Sequence, residues 1–221
     1  MERLIWIEWI GIWGSGKSTT IRNLIKDSDI EFNSTKDYFI ANRTQKIITF
    51  FKISFRSLLS TLRLFSLLLP PFLKAFSKKD SIIKDEFRSF LSCYLARLSF
   101  KYNLSKKSVL WEGEMHLIPI LELDKKIISK IIDILLFTNR EVIHAVVVIE
   151  IDDDVAFRRI MDDKKSEKNI RFNKNQNFTI EHLRRFRLYQ KKLIEVLKEK
   201  RIHVFESDGD LELIKKFISQ V

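Results

Sequence analysis

The chain has 221 residues, 45% of them hydrophobic and 31% charged, a composition that excludes wholesale disorder and suits one domain with a large core. Its 40 lysines and arginines outweigh 29 acids for a net charge of +11, which favours nucleotides, nucleic acid or an anionic membrane surface as partners without choosing among them. A lone cysteine, Cys93, excludes an internal disulfide, and no Cys/His cluster has zinc-site spacing, so a reducing, cytoplasmic setting is expected.

The apolar, β-favouring run Leu4 to Ile10 predicts a first strand that starts too early to leave room for a signal peptide. It feeds Gly11-Ile12-Trp13-Gly14-Ser15-Gly16-Lys17-Ser18, a full match to G-x-x-x-x-G-K-[ST], and a helical pattern follows from Thr19 to Lys26. Strand, glycine loop and helix in that order predict a phosphate cradle for a nucleoside triphosphate. Glycines let successive N–H groups turn inward, and the new helix adds the positive end of its dipole. In that cradle Gly11, Gly14, Ser15, Gly16, Lys17, Ser18 and Thr19 line the phosphates. Lys17 reaches the β- and γ-phosphates and Ser18 ligates Mg²⁺.

A short second strand is expected within Ile30 to Asn33, with Asp37 to Ala41 as a further piece of it or its exit. From Tyr38 to Lys79 there is then no acidic residue, while Arg43, Lys46, Lys52, Arg56, Arg63, Lys74, Lys78 and Lys79 lie among Phe, Leu and Ile. The run from Leu58 to Leu69 is too short for a membrane span, and Pro70-Pro71 is expected to end its helix. Residues 44–79 read as a basic, apolar helical insert. It either packs on the domain with its basic residues outward, or rests as an amphipathic segment on an anionic membrane or a membrane-bound partner.

Helical spacing follows from Ser81 to Leu104, then a strand at Ser108 to Trp111 ending in Glu112-Gly113-Glu114. A helix is expected from Ile127 to Phe137 and a strand from His144 to Ile151, whose β-branched run Val146 to Ile149 suits burial on both faces of a parallel sheet. Asp152-Asp153-Asp154 opens a helix to about Asp163. Residues 164–178, with Lys164, Lys165, Lys168 and Arg171, read as a basic lid-like loop. A long helix from Ile180 to Lys200, a strand at Arg201 to Phe205 and a last helix from Leu211 to Ser219 complete a single domain. The expected fold is a doubly wound parallel β-sheet of about five strands with flanking helices, over residues 1–221. His116, His144, His182 and His203 share no ligand spacing and read as structural or exposed. Cys93 reads as core. Trp6, Trp9 and Trp111 fit core positions of the sheet, and Trp13 either covers a bound nucleotide or packs on the insert.

Four of these places, in order, resemble the thymidylate kinase-like branch of P-loop nucleotide kinases. They are the Gly11–Ser18 loop followed by Thr19, and Tyr94-Leu95-Ala96-Arg97 before the third strand. The strand, acidic turn and Ala156-Phe157-Arg158-Arg159-Ile160 helix entering the lid is the third, and Phe205-Glu206-Ser207-Asp208-Gly209-Asp210 the fourth. The resemblance implies ATP and Mg²⁺ as cofactors, Arg97 facing an acceptor nucleotide, Arg159 pointing to the phosphates, and Asp208 in the turn beside the adenine. The family's Asp-Arg-Tyr or Asp-Arg-His is here Glu112-Gly113-Glu114, which leaves the acceptor open between a nucleoside monophosphate, a sugar and a lipid-linked metabolite.

Phosphoryl transfer needs a phosphate cradle, a metal, positive charge on the moving group and a positioned acceptor. Glu112, at the end of a strand, is expected to hold the hydration shell of Mg²⁺ or to accept the acceptor's proton; Glu114 is the other candidate base or acceptor contact. Catalytic roles thus fall to Lys17, Glu112 and Arg159. The expected activity is transfer of the ATP γ-phosphoryl to a phosphate or hydroxyl acceptor. The other reading is a P-loop accessory protein that docks on a membrane or partner, peripheral to the inner face. Nucleic acid is not favoured, and a homodimer stays open.

Overall fold

The apolar strand runs assemble into one parallel sheet, in a computed structural model that describes residues 4–27, 32–34, 59–73, 87, 89–90, 93–94, 97, 108–111, 113–137, 142–165 and 179–221. The strands among these residues are β1 (Leu4–Ile10), β2 (Phe32–Ser34), β3 (Ser108–Trp111), β4 (Val142–Ile149) and β5 (His203–Ser207), in the order β2-β3-β1-β4-β5. Every pairing is parallel, with Glu8 of β1 level with Trp111 of β3 and Val146 of β4. The expected doubly wound sheet of five strands is present.

Alternation along β1 divides the core. Ile7 and Trp9 face one side, where they pack with Leu24 of α1 (Lys17–Asp27) and with Ile214 and Ile218 of the C-terminal helix. Ile10 faces the other side with Val146 and Val148. That side is covered by a helix over 59–73 (α2), by the helical residues Phe87, Phe90 and Tyr94, and by α3 (Glu114–Leu117) with the 3₁₀ turn Ile118–Leu121. It continues through α4 (Lys125–Phe137), α5 (Asp153–Lys165) and α6 (Ile180–Glu199). The last helix, α7 (Leu211–Gln220), joins α1 on the first side.

Strand order and helix placement together fix where a ligand fits. The chain leaves β1 toward β2 through α1 on one face, and leaves β3 toward β4 through α3 and α4 on the other. Two neighbouring strands whose exits diverge in this way open a crevice beyond their carboxyl ends, the usual ligand position in a doubly wound sheet. By that rule the expected position is between the ends of β1 and β3, where the glycine loop begins.

Local chemistry explains most helix limits. Asp210 caps α7 by accepting hydrogen bonds from the N–H groups of Glu212 (2.9 Å) and Leu213 (3.2 Å). Thr179 caps α6 in a reciprocal box with His182, whose Nδ1 accepts from the Thr179 N–H at 3.2 Å; that histidine is a capping residue. At the other end of α6, Arg201 adopts φ 59°, and the N–H groups of Arg201 and Ile202 bond to the carbonyls of Lys198 and Leu197. This is a Schellman stop with arginine where glycine is usual. It uses up Arg201 and Ile202, so β5 starts at His203 rather than at the expected Arg201.

Two other expectations are corrected. Residues 59–73 stay helical through Pro70-Pro71, where the sequence predicted a stop. Leu64 and Leu68 are buried on this helix, and Phe72, beyond both prolines, stacks on Phe87 with ring centroids 4.1 Å apart. That anchorage holds the last turn against the missing N–H groups. The second difference is α3 with its 3₁₀ turn, which lies where only a strand exit was expected. Trp13 packs on Phe186 of α6, centroids 5.2 Å apart. Trp6 and Trp9 are fully buried, as expected for sheet core positions. The 38–79 insert is described only over 59–73, and Lys168 and Arg171 of the lid-like loop lie outside the described residues.

Candidate functional site

The loop between β1 and α1 closes on itself. The N–H of Ser15 donates to the Ile12 carbonyl (3.2 Å), and the N–H groups of Thr19 and Thr20 both donate to Gly16 (3.0 Å each). Gly14 and Gly16 have φ of 75° and 91°, a region that side-chain-bearing residues rarely enter. At Gly14 space is also lacking: a Cβ there would stand 2.6 Å from the Ala156 carbonyl oxygen of α5. At Gly11 a Cβ would likewise stand 2.8 Å from the Ile149 carbonyl oxygen at the end of β4. The glycines are therefore set by contacts with β4 and α5 as well as by the turn.

Lys17 is buried and its ammonium donates to the carbonyls of Gly11 (2.9 Å) and Ile12 (3.2 Å), which holds the charge inside the curve of the loop. Ser15 is also buried, and its Oγ has no hydrogen-bond partner among the described residues. The first turn of α1 carries Lys17, Ser18, Thr19 and Thr20 and no acid, so nothing opposes an anion at the helix N-terminus. An ammonium, an orphaned hydroxyl and an uncompensated helix end converge on one loop, a donor set that fits phosphate. Ser18, in that same turn, fits a Mg²⁺ ion that keeps most of its waters and takes few protein ligands.

The side of the loop is closed by α5. Arg159, expected to point at phosphates, lies exposed with its NH1 3.4 Å from the Gly14 carbonyl. The start of α5 is braced from α6: Arg187 Nε donates to Asp153 (2.7 Å) and its other arm to the Ile151 carbonyl. The Asp208 turn lies on the α1 side, where a Cβ on Gly209 would be 3.8 Å from the Thr20 hydroxyl. Asp208 itself is exposed and accepts from the N–H of Asp210. Lys17, Ser18, Arg159 and the Asp208 turn, separated widely in sequence, thus gather around one loop.

On the crevice side, Glu8 points from β1 toward the end of β3. One carboxylate oxygen accepts from the Met115 N–H at 3.0 Å, at the start of α3. The other is paired with Arg97, and Arg97 is paired in turn with Glu114. All three side chains are essentially without solvent contact, and the guanidinium carbon sits 4.7 Å above the Trp6 ring. Two carboxylates share a single guanidinium in a place that water does not reach. Burial pushes the Glu8 carboxyl up to about 7; Arg97 and the Met115 N–H act against this and Glu114 with it. The same cluster holds the Arg97 guanidinium in its charged form.

Arg97 and Glu114, expected as acceptor contacts, are therefore brought together, but through each other and through Glu8. Glu112 lies outside the described residues. Glu8 itself is the residue that the sequence reading passed over. Its signal was present: a lone carboxylate in a strand whose neighbours Trp6 and Ile10, on the same face, are fully apolar. Among the described residues no group of three His, Cys, Asp or Glu is disposed to hold a metal by itself.

No protein-family model matches the chain, and no curated protein does so. Solved structures do. The chain is similar to deoxyadenosine kinase from M. mycoides with bound dATP, at 13% identity over 97% of this chain and 99% of that one, TM-score 0.54. It is also similar to the same enzyme with the products dCMP and a flexible dCDP, at 14% identity over 98% and 100%, TM-score 0.50. At this identity the likeness is one of fold. It agrees with the P-loop kinase fold read from the sequence, and it does not single out the thymidylate kinase-like branch.

Proposed function

We propose that this protein is an ATP-dependent phosphotransferase that moves the γ-phosphoryl group to a small acceptor, a nucleoside or nucleotide first among them. The observation that carries the reading is the Lys17 ammonium held inside a closed glycine loop at the mouth of the β1/β3 crevice. On binding, its bonds to the Gly11 and Ile12 carbonyls are exchanged for phosphate oxygens, and Ser15 Oγ gains an acceptor. Arg159, reaching the loop from α5, neutralises charge that develops on the transferred group. Asp208 and its turn border the adenine end. Ser18 would hold a Mg²⁺ ion, which would supply neutralising charge to the phosphates.

The acceptor enters over the ends of β1 and β3. Glu112, next in sequence to Trp111, would take the proton of an attacking hydroxyl or help to hold a metal ion. Arg97 acts as a positioning residue that holds Glu8 and Glu114 and, through Glu8, the start of α3. A nucleoside acceptor is supported by the fold it shares with a deoxyadenosine kinase; a thymidylate-type acceptor is supported by the Arg97 helix and the lid entry, and opposed by Glu112-Gly113-Glu114. Lys17→Ala is expected to reduce ATP turnover to background while circular dichroism stays unchanged. The test is purified protein with Mg·ATP and panels of deoxynucleosides, nucleotides and sugars, read by mass spectrometry. Absence of any phosphorylated product across the panels sinks the reading.

A further inference from the structure

Helix α2 has two apolar sides, and only one of them faces the protein. Leu64 and Leu68 are buried, and Leu67 and Phe72 lean on the same core. At 100° per residue the opposite arc holds Leu59, Leu62, Phe65, Leu69 and Leu73, and these side chains are 40–78% exposed. A soluble surface helix places polar residues on that arc. Here its polar members are Arg63 and Ser66, and the Ser66 hydroxyl is already spent on the Arg63 carbonyl at 2.8 Å.

Charge says what covers this face. No acid occurs from Tyr38 to Lys79, and eight basic residues do. Arg63 is exposed on α2 itself. Arg56 is three residues before Leu59 and Lys74 is next to Leu73, so the covalent chain keeps positive charge at both ends of the apolar arc. A second copy docking here would bring two acid-free, basic segments together and meet repulsion. A surface with an apolar interior and a negative rim meets both demands. Over its described residues the helix is too short to cross a bilayer, and no helix among the described residues is long and apolar enough to do so.

We infer that α2 is a membrane-docking element whose outer face, Leu59, Leu62, Phe65, Leu69 and Leu73, lies in the interface of an anionic lipid bilayer, with Arg63 and the flanking basic residues on the headgroups. The helix lies in the membrane plane, its inner face still packed on the domain. Apolar contact supplies most of the affinity, and the basic residues select anionic lipid. This inference is independent of the chemistry at the glycine loop, because it is read without nucleotide.

The experiment is flotation of the full chain with vesicles of phosphatidylcholine alone or with phosphatidylglycerol added, at low and high salt. Binding is expected on the mixed vesicles, weaker in high salt, and slight on phosphatidylcholine alone. The double variant Leu62→Gln/Leu69→Gln, both exposed positions, is expected to lose at least about tenfold in vesicle affinity, with its thermal melt and ATP turnover unchanged. Neutral glutamines separate lost apolar contact from charge repulsion. Failure to bind anionic vesicles at low salt overturns the inference. So does equal binding by the double variant. A change from dimer to monomer in that variant, seen by sedimentation without vesicle binding, assigns the face to a second copy instead.

Discussion

Gly14 shows how closely the loop is constrained by its neighbours. A side chain there meets a positive φ and the Ala156 carbonyl together, so neither backbone adjustment nor rotamer choice relieves it. Gly14→Ala is expected to cost at least about 2 kcal/mol of stability, measured by urea denaturation, and to weaken ATP binding with it. Glu8 gives a second prediction. Its carboxyl titrates near 4.5 when the chain is unfolded and near 7 when folded, with burial the main cause. Between those values the folded state keeps a proton that the unfolded state has released, so this group's contribution is full below 4.5 and is lost as pH rises through about 7. The melting temperature of the wild type should therefore fall across this window, and that of Glu8→Gln should fall less. Parallel profiles for the two proteins would mean that the buried cluster does not hold this proton.

At the scale of elements, α2 is the case where local rules and tertiary packing disagree. Two consecutive prolines remove two backbone donors, and propensity alone ends the helix before them. The Phe72–Phe87 stack keeps the helix intact past that point. Phe72→Ala is expected to destabilise the protein by about 2 kcal/mol, less than a fully buried Phe because this ring is only partly covered. Hydrogen exchange over 59–73 is the measurement, and faster exchange confined to the last turn is the expected signature. The strands and the other long helices follow their sequence patterns to within a few residues. The helices capped by Thr179 with His182 and by Asp210 begin where the sequence put them, and the start of β5 moved because Arg201 is taken up by its left-handed turn. Helix α3 was not legible because four residues carry no period; it exists because Glu8, 107 positions away, accepts the Met115 N–H.

For the whole molecule, the glycine loop ties β1, β4, α1 and α5 together, so a triphosphate bound there stabilises the entire fold. Mg·ATP at about a hundred times its Kd is expected to add about 2.7 kcal/mol, or about 5–10 °C in Tm for a chain of this size. Differential scanning fluorimetry is the check, and Lys17→Ala should abolish the shift. What the sequence determined alone was the glycine loop, an eight-residue motif in its strand–helix setting, and a parallel α/β sheet written in runs of β-branched residues. These are legible because they are local, carried by residues adjacent in the chain. The tertiary structure decided the rest. It set Arg97 at the centre of a buried ion cluster, brought Arg159 to the Gly14 carbonyl, and left one leucine-rich face of α2 toward solvent. Each depends on which elements pack against one another, which residues adjacent in the chain do not encode.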